Sequence, residues 1–371
     1  MQNVLLLSDE QSALQETAAA FLAEFANARK PRDEDAALWQ RIAELGWPAV
    51  QVPEALGGLG MGPVELALLM EEMGRRLTRS PFFASVVLAQ TALLEAADTA
   101  AQERHLPALS AGEANATLIL APGCVWSPEE LPITCHRDAE GWVLNGEALQ
   151  VIDDGSCDRA FVAARHADGV ALFHVPADAP GVERVALDVW DLTRPQMTWR
   201  IRDLRLPPDA RIDDPQRLDA GLARTVAHAA LQLAAEQVGG AAACLELTVA
   251  YTRERVQFGK PVASFQAVKH RCAEMMVRLE TARSALRGVA AIAAGIADAD
   301  ELAREVAVAR VLANDAYRYC AQEAVQLHGG VGFTWEYDPQ LHFKRAQWSS
   351  QWFGTSARWR ERVATHLLDF A

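Results

Sequence analysis

Several features that would assign a chain to a class at sight are scarce or absent here. The six cysteines (Cys124, Cys135, Cys157, Cys244, Cys272, Cys320) are scattered, with no CxxC pair, and Cys135-His136 has no second ligand pair. That spacing argues against a metal site and for unpaired thiols in a reducing cytoplasm. No apolar run reaches the ~20 residues needed to span a bilayer. Basic residues are outnumbered, 35 Lys and Arg against 49 Asp and Glu, for a net charge of −14. An extended electrostatic footprint on nucleic acid is therefore not expected. The opening Met1-Gln2-Asn3-Val4-Leu5-Leu6-Leu7 has neither a basic n-region nor a long apolar core, so no signal peptide is expected.

What is present is half apolar, with 23% charged residues, over 371 residues, enough for two or three globular domains. Residues 1–115 read as an α-helical domain. Gln11 to Phe25 and Glu65 to Leu77 repeat apolar residues at three- and four-residue steps, around a break at Pro53 to Gly60, and Pro63 opens the second helix. Residues 116–213 change texture. Thr117-Leu118-Ile119-Leu120, Trp142-Val143-Leu144, Ala160 to Ala163, Val170 to Phe173 and Met197 to Ile201 are short β-like runs, suggesting a small barrel or sandwich. In residues 214–371 the spacing predicts long alanine-rich helices over Ala223 to Tyr251, Gln266 to Ala294 and Glu301 to Leu327, lengths that suit a bundle. The fold class is α+β in three blocks.

Strings in all three blocks resemble the acyl-CoA dehydrogenase family. In the first block these are Glu44-Leu45-Gly46-Trp47-Pro48, Val52-Pro53-Glu54, Gly57-Gly58-Leu59-Gly60 and Glu71-Glu72-Met73-Gly74-Arg75. The sharpest match runs from Tyr251 through Arg255-Val256-Gln257-Phe258-Gly259-Lys260-Pro261 to His270. A further match is Gln326-Leu327-His328-Gly329-Gly330-Val331-Gly332-Phe333-Thr334. The resemblance implies an N-terminal helical domain, a middle β-barrel domain and a C-terminal four-helix bundle. It also implies FAD as cofactor, an acyl-CoA substrate and an electron-transfer flavoprotein as acceptor.

The C-terminal motifs suit a dinucleotide. Arg255 offers a forked, permanently charged donor for pyrophosphate. Phe258 can pack beside adenine, and Gln326 supplies amide donors and an acceptor. Gly329 and Gly330 let backbone N–H groups approach phosphate or ribose. By resemblance, Arg255, Gln257, Phe258, Gln326, Leu327, Gly329 and Gly330 reach the ADP half of a neighbouring subunit's FAD.

The flavin-ring motifs depart from the family. An ungapped alignment from Gly141 to Gly146 puts Leu120 to Ser127 on the string Thr-Glu-Pro-Gly-Ala-Gly-Ser-Asp. Only Pro122 and Gly123 match; Val125 replaces a glycine, and Trp126 stands where a serine hydroxyl faces the flavin. In the next segment Gln150 replaces the tryptophan platform and Ile152 a hydroxyl donor. The glutamate that removes the substrate α-proton is absent from both family positions, now Phe353 and Ala229. Glu236, seven residues or about two helical turns beyond Ala229, is the candidate for a relocated base. Trp348, Trp352 and Trp359 recur at four- and seven-residue spacing as one helical stripe, read as packing, or as a plug of the acyl cleft formed by Trp352 and Phe353.

This asymmetry resembles a bacterial branch built as α2β2 tetramers, with members linked to steroid degradation, and Phe343-Lys344-Arg345-Ala346 is similar to that branch. The leading expectation is a base-free subunit that lends its ADP-binding half to a partner subunit. The alternatives left open are a flavin-free scaffold or regulatory subunit and a homotetramer using Glu236.

Overall fold

The structure, a computed structural model, describes residues 6–29, 34–121 and 126–369. The chain begins with helices α1 (Asp9–Phe25), α2 (Asp35–Glu44) and α3 (Pro63–Arg75). A buried π-helical stretch, Phe83–Gln90, then runs into α4 (Thr91–Ala96), followed by α5 (Thr99–Ser110). Their ends follow local chemistry. Ser8 and Gln11 form a reciprocal capping box on α1, Pro63 occupies the first turn of α3, and Asp98 caps α5.

The middle segment holds β1 (Ala116–Ile119), β2 (Ile133–Arg137), β3 (Trp142–Ile152), β4 (Arg159–His166), β5 (Gly169–Pro176), β6 (Val182–Ala186) and β7 (Gln196–Leu206). They form a seven-stranded sheet in the order β1-β4-β2-β3-β7-β6, with β5 pairing on β4. β1 runs parallel to β4, and β4–β5 is a hairpin in continuous register from Arg159↔Pro176 to His166↔Gly169. The sheet wraps a core of its own, with Leu144, Val162, Phe173, Trp199 and Ile201 inside. Among the described residues β1, β5 and β6 each pair with a single strand, so the expected barrel is an open one. β4 is buried on both faces: Ala160, Val162 and Ala164 face the sheet core, while Phe161 and Ala163 join the helical core. This accounts for its continuous apolar run, since successive strand residues alternate sides.

The last segment is a helical domain of α6 (Leu218–Glu254), α7 (Gln266–Ala293), α8 (Ala299–His328), α9 (Pro339–Ser349) and α10 (Ser356–Asp369). Between α6 and α7 lies a small hairpin of β8 (Val256–Gln257) and β9 (Lys260–Pro261). The three long helices lie where the spacing predicts them. α6 is 37 residues, roughly 55 Å long, and its central turns are buried all round. We propose domain limits at 115/116 and 213/214, between α5 and β1 and between β7 and α6.

Glycine sets how closely α3 approaches α6. A Cβ on Gly239 would lie 1.7 Å from the Glu71 carbonyl oxygen, and one on Gly74 would lie 2.0 Å from that of Glu236. Each helix therefore seats a glycine on the backbone of the other, which brings Glu236 against the N-terminal helices. Gly239→Ala should cost at least about 2 kcal/mol by overpacking. A thermal melt with an unchanged Tm would contradict this account of the crossing.

Candidate functional site

The ADP-side residues gather at one end of the bundle. α6 and α8 end side by side, joined by Tyr251 stacked on His328 at 4.3 Å, with Tyr337 edge-on to both. Beyond α6, Arg255 leaves the helix in extended conformation, and the chain doubles back through Phe258 (φ 54) and Gly259 (φ 77). Two successive positive φ values give the tight turn that a two-residue hairpin needs. Gln257 pairs with Lys260 across it, and Phe258 projects into solvent, 90% exposed, touching only Phe265 among the aromatic rings. Beyond α8, Gly329 (φ 65) ends the helix, and a Cβ on Gly329 or Gly330 would meet nothing within 4 Å. Gln326, Gly329 and Gly330 are exposed and Leu327 half-buried. The Arg255 guanidinium makes no hydrogen bond or ion pair among the described residues. Lys260 lies over the Phe265 ring at 4.3 Å instead of pairing with Glu254. This end presents open backbone, one unengaged guanidinium and an aromatic ring, a donor set that fits a pyrophosphate-bearing ligand.

The positions read as the flavin-ring side lie elsewhere, at the edge of the sheet domain and in the interior. Pro122 to Val125 lie outside the described residues. Trp126 is half-buried, and its indole N–H donates to Asp219 Oδ1 on α6 at 2.9 Å. Gln150 is exposed at a bulge of β3 with φ 57, too far out of the sheet face to form a platform. Ile152 is buried and lines a cavity of about 20 Å³ with Thr78, Asp153, Thr193 and Arg194.

The two base positions are apolar and closed. Ala229 is fully buried in α6. Phe353, at φ 55, is buried against Phe83 of the π-helical stretch, with centroids 6.5 Å apart, and against Trp352 at 5.9 Å. The tryptophans do not share one helical stripe. Trp348 lies on α9, Trp359 on α10, and Trp352 in the link between them, because the positive φ of Phe353 and Gly354 breaks the helix.

Glu236 is held in a buried ion cluster. Its Oε1 accepts from Arg345 Nη1 at 2.8 Å and its Oε2 from Arg194 Nη2. Arg345 also donates to Asp191 Oδ2 at 2.6 Å and to the Thr193 carbonyl at 2.7 Å. Arg194 lies between the Phe83 and Trp348 rings, 4.8 and 5.1 Å from their centroids. Burial pushes the Glu236 carboxyl up, but the two arginines outweigh it and hold it below its ordinary value. Burial likewise opposes the charge on Arg345, and Asp191 with Glu236 outweighs that too, raising it. Arg310 has no carboxylate in contact. It donates to Gln237 and to the carbonyls of Ser349 and Trp352, and burial lowers its pKa to about 9. A carboxylate held as an anion by two guanidinia is poorly suited to take up a proton. His228 on α6 is half-buried, its Nε2 3.6 Å from Glu95 Oε1.

Sequence reading missed Asp191, Thr193, Arg194 and Arg310. The available signal was charge inside apolar helical runs, Glu236 in Leu231 to Ala243 and Arg310 in Val306 to Ala313. Among the described residues no group of three or more His, Cys, Asp or Glu could hold a metal, and no helix is long and apolar enough to cross a membrane.

Comparison with known proteins decides the family. Residues 8–113 match the model of the acyl-CoA dehydrogenase N-terminal domain and 222–368 that of the C-terminal domain. Acyl-CoA dehydrogenase IpdE2 of Mycolicibacterium smegmatis is 33% identical over 98% of this chain and 100% of its own. The chain belongs to the acyl-CoA dehydrogenase family. That makes it a member of a family of FAD-dependent oxidoreductases acting on acyl-CoA. A variant of the Tcur3481-Tcur3483 steroid ACAD is similar at TM-score 0.84 and 29% identity, covering 97% of this chain and 98% of that one. The ChsE4-ChsE5 complex from Mycobacterium tuberculosis, at TM-score 0.86, 24% identity and 98% coverage of both chains, shares the fold.

Glu236→Gln should cost roughly 3–5 kcal/mol by leaving Arg194 and Arg345 buried without their carboxylate. Because the folded-state pKa is depressed, this stabilisation is present above pH 4.5 and lost as pH falls through the folded value. The Tm gap between wild type and variant should thus be wide at pH 7 and narrow below pH 4.5. A gap independent of pH would refute the ion-pair assignment.

Proposed function

We propose that this acyl-CoA dehydrogenase chain is the base-free subunit of an α2β2 enzyme, lending the ADP-binding half of an FAD site to a partner subunit. The observation that carries this reading is the opposite fate of the two half-sites. Arg255, Phe258, Gly329 and Gly330 stand open at the surface, whereas Ile152, Phe353 and Ala229 are sealed in the interior. A homo-oligomer needs both halves on one sequence; a hetero-oligomer does not.

In this reading the partner subunit's glutamate takes the α-proton of the acyl-CoA, and FAD supplies the acceptor for the β-hydride. Arg255 neutralises pyrophosphate charge, the backbone at Gly329 and Gly330 donates to phosphate or ribose, and Phe258 packs on the adenine side. Gln257, Gln326 and Leu327 shape the same surface. Exposed apolar side chains nearby, Val256, Phe333 and Trp335, support a partner chain covering this end. Against Glu236 as a relocated base stands its double ion pair. The similarity to a steroid ACAD favours a bulky ring-derived acyl group, and the family resemblance favours an electron-transfer flavoprotein as acceptor. The five described cysteines are free, in keeping with the cytoplasm.

The test is flavin stoichiometry, by visible absorption of the chain purified alone and with its partner. The expected result is a colourless chain alone and about one FAD per pair in the complex. Arg255→Ala in that complex should weaken FAD retention by roughly 2 kcal/mol, more than tenfold. One FAD per chain in the isolated protein would point to a homotetramer, and a flavin-free complex to a scaffold.

A further inference from the structure

A groove lies between α1, α3 and the C-terminal half of α7. It has a volume of about 550 Å³, within the ~300–1,000 Å³ range of small-molecule sites. Its walls are mainly apolar, with Leu7, Leu68, Leu286 and Ile292 prominent. Two charged side chains reach it, Glu71 and Arg287. They differ in how they are satisfied. The Glu71 carboxylate is engaged by Arg283, one turn before Arg287 on α7, at 3.0 Å. Arg287 makes no hydrogen bond or ion pair among the described residues, and its Nε is buried without a partner. Arg283 pairs with Glu280 as well, so of the two charged side chains lining the groove only Arg287 lacks a partner beside the apolar walls.

Arg287 is half-buried, and its Nε, closed off from water without an acceptor, loses hydration that nothing among the described residues replaces. A carboxylate restores it, and a forked donor suits that shape better than an ammonium would. We infer that the groove between α1, α3 and α7 is a binding site for an amphipathic monocarboxylate. Arg287 holds the carboxylate and the leucine-lined wall takes an apolar body of fatty-acid size. The site is separate from any acyl-CoA or flavin chemistry and does not rest on the subunit assignment above.

Dodecanoate titrated into the full chain by calorimetry tests this, with dodecanol as the uncharged probe. The expected result is one dodecanoate per chain, bound about tenfold more tightly than dodecanol. Arg287→Gln should erase that preference while leaving dodecanol binding and the circular dichroism spectrum unchanged. If the variant fails to fold, the wild-type preference for dodecanoate over dodecanol still decides. Three outcomes would overturn the inference: no dodecanoate binding, binding of several molecules without charge preference, or binding lost when the chain is in complex with its partner subunit. The last would assign the groove to a protein interface.

Discussion

Two guanidinia on one buried carboxylate hold the centre of this molecule. Glu236 on α6, Arg345 on α9, and Asp191 and Arg194 from the segment between β6 and β7 meet where water does not reach. Burial alone would favour neutral forms, so each charge persists only because its partners are fixed within hydrogen-bond distance. The cluster therefore ties the sheet domain to the helical domain. Trp348 packs on its Arg194, while a separate buried guanidinium, Arg310, holds the link carrying Phe353 through the carbonyls of Ser349 and Trp352.

That arrangement has a chemical consequence. An acyl-CoA dehydrogenase needs a carboxylate free to take a proton, in a cleft with room for substrate and flavin. Here the carboxylate nearest the expected position is neutralised twice over, and aromatic rings occupy the space around it. The opposite end of the bundle follows another rule. The hairpin and the diglycine depend on backbone conformation, positive φ at Phe258, Gly259 and Gly329, and stay open to an incoming ligand. A closed interior and an open surface coexist because the two ends share the helices α6 and α8.

Much of the fold was legible along the chain. The long helices follow the 3.6-residue period, and β4 followed by β5 reads from its apolar runs because those strands pack on two cores. Less legible were β2 and β6, whose half-exposed residues give little contrast, and the π-helical stretch, which is apolar on every side. The three tryptophans read as one stripe because spacing cannot report a helix that breaks at Phe353. The residues proposed for the dinucleotide were named because they lie in contiguous strings. Arg194 and Arg310 were not, since their partners lie 42 and 73 positions away.

The sequence by itself determined the family, the order of the three blocks, the contiguous dinucleotide motifs and the absence of a glutamate at both expected positions. These are local properties, set by which side chain stands at which place in a string. Only the tertiary structure decided what filled the vacated space and what became of Glu236. Charge state depends on distance and burial, and both are fixed by residues far apart in the chain. The unpaired Arg287 belongs to the same class: a lone arginine on a helix is unremarkable until packing supplies partners to its neighbours and none to it.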